Sequence, residues 1–373
     1  MTTITLPQLK GHDRLTHSRM QCKKTCGRKH HYRYDLGIRP KLSFRPLRIG
    51  GAVHVGIDAR AKGLTQEEAV AIAVAGYEEL PAWASDDSKV HEWMVERETV
   101  ARLLMGYFWY WEGVDGIDPA LKPVDIVETE QSFDLPIRNP ETGKATTSFR
   151  VAGKRDKIVR LADGRLAVME HKTCGEDLAP DSDYWKRLRI DEQISLYVHA
   201  AREEGHDVQT VLYDVIRKPS IAPKQIPVLD DDGVKIVLDA QGQRVRSKDG
   251  KKWRESGDSA QGFTLQTRVE SAAEFGERLN NDIAERPTFY FARQEIPRLD
   301  ADLDEFRHDL WQQQRDIRES QLAGRHFRNT SACLTYGRCE FMDHCHVGLD
   351  PQNLPDGFEV VADIHPELQE IDS

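Results

Sequence analysis

Apolar side chains recur at threes and fours from Val90 through Trp93, Met94, Val100, Leu103, Leu104, Tyr107 and Phe108 to Trp111. That spacing predicts one long amphipathic helix, and its aromatic stripe suits a core rather than a ligand site. Upstream, Thr65-Gln66-Glu67-Glu68 has the form of a capping box and predicts a helix running to about Leu80, where Pro81 ends it. From Val124 the period shortens towards two. "VDIVETEQSFDLPI" and "TTSFRVAGKRDKIV" read as strands, and Asp163-Gly164 is the turn that leads into a third, "RLAVMEHKT". "YWKRLRIDEQISLYVHAAREEG" is helical and stops at Gly205, "VQTVLYDVIRK" is a strand, and helices resume at Ser271–Ala284 and Asp300–Leu322. Residues 219–262, rich in Gly, Asp and Lys, predict an excursion built as one extended hairpin. Helices, then a mixed sheet carrying a helix, then helices again predict an α/β core with a helical subdomain.

The bulk numbers change this picture little. The 373 residues allow about two domains or one elaborated one. Hydrophobic content of 39% beside 31% charged residues leaves enough apolar surface for a core. No stretch approaches the ~20 apolar residues of a membrane span, and the first residues lack a secretion signal's apolar centre, so a cytoplasmic protein with no membrane partner is expected. Six segments follow: a basic segment 1–48 whose first 20 residues are loosely ordered, a helical subdomain 49–123, a core 124–218, the excursion 219–262, helices 263–326, and a cysteine-bearing acidic tail 327–373. The net charge of −10 exerts no general pull on nucleic acid, but its distribution is uneven. Between Ser18 and Arg48 ten Lys or Arg residues face the single acid Asp35, with His30, His31, Tyr32, Tyr34 and Phe44 interleaved. Such texture suits phosphate contact and base stacking, or a solvated segment paired to acids elsewhere.

The third strand carries Glu170 and Lys172 where a sheet interior normally rejects charge, and the turn brings Asp156 beside them. Residues i and i+2 share a face, so Glu170 and Lys172 project together and His171 points away. Two carboxylates on one face repel unless a cation compensates, and Mg²⁺ or Mn²⁺ suits oxygen ligands. A surface hairpin with solvated charges is the plainer alternative.

"GKRD" and "EHK" resemble motifs II and III of the PD-(D/E)XK nuclease superfamily. Gln193 and Tyr197 in "DEQISLYVHAA" lie four apart on one helix face, and this Q-x-x-x-Y pattern resembles that of the RecB-like branch. "LRIGGAVHVGIDA" is similar to the branch's G-x-x-x-H helix. The resemblance implies a restriction-endonuclease-like mixed sheet flanked by helices. It implies that His54, Asp156, Glu170 and the backbone carbonyl of His171 hold Mg²⁺ or Mn²⁺, that Lys172 assists the attacking water, and that Gln193 and Tyr197 position DNA. Products would carry a 5′-phosphate and a 3′-hydroxyl.

Six cysteines remain, three of them in "ACLTYGRCEFMDHCH" with five residues between neighbours. In a cytoplasmic chain this suggests metal or cluster binding over disulfides, with free buried thiols the alternative. "CKKTCGRKHHYRYDLGI" resembles the opening of RecB-like nucleases that carry a 4Fe-4S cluster, such as AddB-type helicase-nuclease subunits and CRISPR-associated spacer-acquisition nucleases. There, one early and three late cysteines clasp the chain ends. On that match Cys26, Cys333, Cys339 and Cys345 are ligands, with Cys22 in reserve and Cys174 outside the scheme. Gly27 stands where the family has proline, the spacing is wider than its C-x-x-C, and Zn²⁺ in a Cys₄ site is the alternative. The resulting expectation is a metal-dependent DNA exonuclease of recombination or repair, belonging to a phage or mobile element. It would act on single strands or free ends guided by Arg28, Lys29 and Arg33, with recombination or helicase proteins as partners. The rivals are a catalytically silent DNA-binding protein on the same fold and a zinc-stapled interaction protein. No G-x-x-x-x-G-K-[ST] is present, which argues against a built-in helicase.

Overall fold

A computed structural model describes residues 13–41, 45–335, 337–365 and 368. Most of the expected loose lead-in, Phe44 and the end of the acidic tail lie outside these. The part of the lead-in that is described is ordered. β1 (Asp13–Leu15) and α1 (His17–Thr25) precede the short α2 (Gly27–His30), a π-turn at His31–Asp35 and β2 (Ile38–Pro40). The Thr16 side chain accepts from Arg19 N and starts α1. α3 (Arg45–Ala61), α4 (Gln66–Val74) and α5 (Asp87–Phe108) follow. The Thr65 capping box forms, but α4 stops at Val74 rather than near Leu80. The chain there is drawn into a tertiary contact, with the Tyr77 hydroxyl donating to Glu96 and the Trp93 indole N–H to the Tyr77 carbonyl.

β3 (Asp125–Arg138), β4 (Ala145–Arg160), β5 (Leu166–Cys174), α6 (Asp183–Leu188), α7 (Glu192–Glu203) and β6 (Val208–Arg217) make the centre. The excursion is a set of small ribbons, β7 (Gln225–Pro227), β8 (Val237–Leu238), β9 (Thr264–Leu265) and β10 (Thr267–Val269), with β10 on β7 and β9 on β8. Nested turns therefore replace the single hairpin expected. α8 (Ala272–Glu285), α9 (Pro287–Tyr290), β11 (Phe291–Pro297), α10 (Asp300–Ala323) and β12 (Phe358–Val360) complete the described elements.

Six strands form one mixed sheet in the order β1-β4-β5-β6-β11, with β3 on the other side of β4. β1 and β6 run parallel to their neighbours β4 and β5, while β3, β5 and β11 pair antiparallel with β4, β4 and β6. The β4–β5 turn needs Gly164, whose φ of 89° disfavours a side chain. On one face Val168, Val211, Val215, Leu196, Leu303 and Phe306 belong to a core shared with α7 and α10. On the other, α3, α4, α5 and α8 gather around Leu103, Leu104, Phe108 and Leu279, and Ile216 and Phe291 of the sheet join them. α3 reaches α5 closely because Gly56 has no side chain. A Cβ there would stand 2.5 Å from Leu104 Cδ1.

Candidate active site

The β4–β5 ladder runs from Arg160↔Leu166 to Lys157↔Met169 and stops one pair short of Asp156 and Glu170. Beyond that point the same side of β4 is taken by β1, through Phe149–Val151. The two acids thus stand at a fork where the strands part. There the backbone N–H of His171 donates to Asp156 Oδ2 at 2.8 Å instead of to a strand partner.

α3 crosses this fork and brings His54 Nδ1 to 3.7 Å from Asp156 Oδ1. Glu170 is buried, and its Oε1 pairs with Lys172 Nζ at 2.5 Å. Its other oxygen, Oε2, is buried with no hydrogen-bond partner. An orphaned carboxylate oxygen is costly to bury and is the group an ion would satisfy. His54, Asp156 and Glu170 are thus brought together, though their donor atoms do not all lie within 4.8 Å of one another. The Lys172 ammonium and the His171 N–H hold one oxygen of each acid, so closure on one ion requires a carboxylate to rotate.

Electrostatics follow from this crowding. Burial, then the Asp156 charge, push Glu170 up to about 7 against the pull of Lys172. Burial acts against Asp156 too, but the imidazole of His54 alongside, with the charges behind it, outweighs it and holds Asp156 well below the usual carboxylate range. His54 is raised because Asp156 overcomes its burial. Burial likewise opposes the charge on Lys172, yet Glu170 and Asp156 raise it, so Lys172 is a cation here rather than a base.

Glu170 links metal binding to pH. Its folded value lies above the ordinary 4.5, so in the metal-free protein its ionisation is destabilising as pH rises from 4.5 through about 7. A cation must displace that proton. Mn²⁺ affinity measured by calorimetry is expected to rise about tenfold between pH 6 and pH 8. Equal affinity at both pH values would contradict the role given to Glu170.

Behind the fork lies a polar cluster that the sequence did not suggest. The His171 side chain enters the opposite face, its Nδ1 2.6 Å from Asp214 Oδ2 and its Nε2 3.0 Å from Lys157 Nζ. Asp214 also accepts from the Tyr107 hydroxyl (2.5 Å) and Arg293 Nε (2.9 Å), and the guanidinium lies 3.8 Å from the Trp111 ring centre. Burial lowers His171 to about 4 and Lys157 to about 8. The one available signal was a charge inside the apolar run "VLYDVI".

Gln193 Nε2 donates to the Tyr197 hydroxyl at 2.7 Å, on an α7 begun by the Asp191 side chain. Both residues line a groove of about 340 Å³ with Thr16, His17, Gly153 and Lys154. The Lys172 charge reaches into this region, where it acts with burial to lower His17.

Cys26, Cys333, Cys339 and Cys345 line a separate cavity of about 810 Å³, which Cys22 does not line. Burial pushes the Cys22 thiol up to about 11. Arg28, Lys29 and Arg33 line the same cavity, and Lys29 and Arg33 pair with Glu340 at 3.2 and 2.8 Å. The cavity and the Gln193–Tyr197 groove share no lining residue. These three cations, grouped with the groove from sequence, therefore sit with the thiols, where acid pairing and the cavity hold them. The chain ends are clasped here, with Arg28 N donating to Phe327 O (2.8 Å), Asn329 Nδ2 to Thr25 O (2.9 Å), and β12 pairing with β2.

Solved structures that resemble the chain distantly include two at low sequence identity. A protein from Eubacterium rectale, described as a candidate exonuclease, matches at 9% identity with a TM-score of 0.41, covering 91% of this chain and 90% of its own. SSO0001 matches at 13% identity with a TM-score of 0.18, covering 63% and 72%. Likeness at this level says nothing of function. Among curated proteins none matches. No helix among the described residues is long and apolar enough to cross a membrane. A family model describing the PD-(D/E)XK nuclease superfamily matches residues 14–346, nearly the whole described chain, and the protein belongs to that superfamily.

Proposed function

We propose that the protein is a metal-dependent deoxyribonuclease of the RecB-like branch that works from DNA ends. The observation that carries this is the fork. It presents the unpartnered Glu170 oxygen beside Asp156, with His54 within reach and a lysine alongside. Nucleases of this superfamily use Mg²⁺ or Mn²⁺. His54, Asp156, Glu170 and the His171 carbonyl would hold the ion, which would polarise the phosphodiester and acidify a water. Lys172, kept protonated by the two acids, donates to the developing phosphoryl charge and orients the incoming water. Gln193 and Tyr197 would hold the strand in the groove they line with Gly153 and Lys154, the residues of β4 just before Asp156. Purified protein should degrade end-labelled DNA with Mg²⁺ or Mn²⁺ and not with EDTA, and blocking both ends should stop it. Full cleavage of blocked substrate would refute action from ends. Metal-independent binding without cleavage would favour a silent DNA-binding protein.

The cysteine cavity would hold a 4Fe-4S cluster rather than zinc. A Cys₄ zinc site places sulfurs ~3.8 Å apart, since Zn–S bonds are ~2.3 Å and tetrahedral. No three thiols among the described residues fall within 4.8 Å of one another. A cluster with four thiolates is anionic, and Arg28, Lys29 and Arg33 surround it with positive charge. Anaerobically purified protein should be brown and contain about four irons per chain, and Cys26→Ser should lose them while Cys22→Ser keeps them. One zinc and no iron would overturn this.

A further inference from the structure

Beyond β6 the chain leaves the sheet at the edge where the candidate metal ligands stand. β5 and β6 are parallel, with Glu170 opposite Tyr213, Lys172 opposite Val215 and Cys174 opposite Arg217. Lys218 N then donates to Cys174 O at 2.7 Å, and the ribbons of residues 219–269 begin. Their root is firmly tied. The buried Glu270 accepts from Lys224 N and is bridged by two nitrogens of Arg278, which also reaches the Ala222 carbonyl.

The far part of this arm is, like the 18–48 segment, basic within an acidic chain. Residues 241–254 hold six Lys or Arg against the single acid Asp249. Arg244 and Arg246 place their guanidinium carbons 4.2 and 4.3 Å from the Trp253 ring centre, and Arg254 lies 4.2 Å from that of Phe263. Arg244 is neutralised by Asp230 at 2.5 Å, whereas Arg246, Lys248, Lys251 and Lys252 are exposed and have no acid partner among the described residues. The surplus cations have nothing in the described structure to neutralise. A guanidinium lying on an aromatic ring can still present N–H groups at its edge to phosphate, and Arg246 spends only one of its nitrogens, on the Gly250 carbonyl at 3.2 Å.

We infer that the 241–254 arm is a phosphate-binding surface for the DNA strand beyond the catalytic fork, with Arg246, Lys248, Lys251 and Lys252 contacting its backbone. This rests on the nuclease reading and extends it. The arm acts on long substrates, and a fragment filling only the groove by Gln193 and Tyr197 does not reach it.

The test compares wild type with the Arg246→Ala, Lys248→Ala, Lys251→Ala, Lys252→Ala variant, and with Lys248→Glu, Lys251→Glu, which leaves the Trp253 stack intact. Affinity for fluorescent single strands of about 40 nucleotides is read in Ca²⁺ across salt concentrations, and cleavage in Mn²⁺ of long strands and of strands of about 8 nucleotides. Each lost phosphate contact should flatten the slope of log affinity against log salt by about 0.7. The alanine variant should therefore lose about 2 to 3 units of slope and at least tenfold in affinity for long strands. Its kcat, and all cleavage of short strands, should match wild type. Wild-type affinity and slope for long strands in both variants would overturn the arm while leaving the nuclease reading intact. A wild type that neither binds nor cuts DNA would sink the nuclease reading, and the arm with it.

Discussion

Replacing Asp156 with alanine is expected to reduce DNA cleavage by about 10³-fold or more, an effect of ~4 kcal/mol on the barrier. Asp156 stands between three groups at once: His54 Nδ1 at 3.7 Å, the His171 N–H at 2.8 Å, and the charge of Glu170 across the fork. Its loss removes one of the carboxylates proposed to hold the ion and frees the backbone at the point where β4 and β5 part. It also removes the charge that helps raise Glu170, so Glu170 should titrate lower in the variant. Lys172→Ala should lose about 10²-fold while retaining metal, because the proposed role of Lys172 is to neutralise charge and not to hold the ion. The measurement is cleavage rate at saturating Mn²⁺, with circular dichroism to show that each variant folds. Undiminished cleavage by both variants would remove the fork from catalysis.

Asp214→Ala is expected to lower unfolding free energy by about 3–5 kcal/mol, the range for breaking a buried ion pair by deleting one partner. Asp214 is fully buried, and Arg293, Tyr107 and His171 all direct hydrogens at it. The alanine variant leaves the Arg293 cation buried without its anion. Burial alone would raise Asp214, but Arg293 and the His171 hydrogen bond outweigh it and hold the carboxyl far below its ordinary 3.8. The sign follows directly. The stabilisation is complete above the unfolded value near 3.8 and is lost as pH falls towards the folded one. Urea titrations should therefore show a wide gap between wild type and variant at pH 7 that narrows in acid. A gap below 1 kcal/mol at pH 7 would show that the cluster is not a structural keystone. Cleavage should fall as well, because His171 anchors Asp156 through its backbone.

The hairpin could be read from sequence because a turn dipeptide and two-residue alternation define which residues oppose each other. Asp163-Gly164 placed Asp156 by Glu170, and the register of the last formed pair, Lys157↔Met169, makes them the next in line. Alternation does not tell where a ladder stops, so the fork itself was invisible. His171 shows a second limit. Only its backbone carbonyl entered the expectation, while its side chain meets Lys157, Asp214 and the groups around them from β4, β6, α5 and β11, elements with no common spacing. Trp93, Tyr107, Phe108 and Trp111 are buried, as their stripe implied. Met94 is exposed despite fitting the same period, since a helix stripe is wider than its core contact. Four of the six cysteines were expected to share a site and do line one cavity, but which basic residues would share it depended on tertiary folding. The excursion, lacking any period, offered a composition and no register.

The clasp between the two ends of the chain also orders how the molecule can be made. Strands β4, β5 and β6 leave the ribosome in succession and can assemble the catalytic fork while synthesis continues. Cys26 and β2, made earlier, must wait for Cys333, Cys339, Cys345 and β12, which are made about three hundred residues later. A nascent chain halted before them would carry a near-complete cutting edge with its basic segment unclasped. Capture of the proposed cluster would then depend on that later segment, separating chains that have made it from chains that have not.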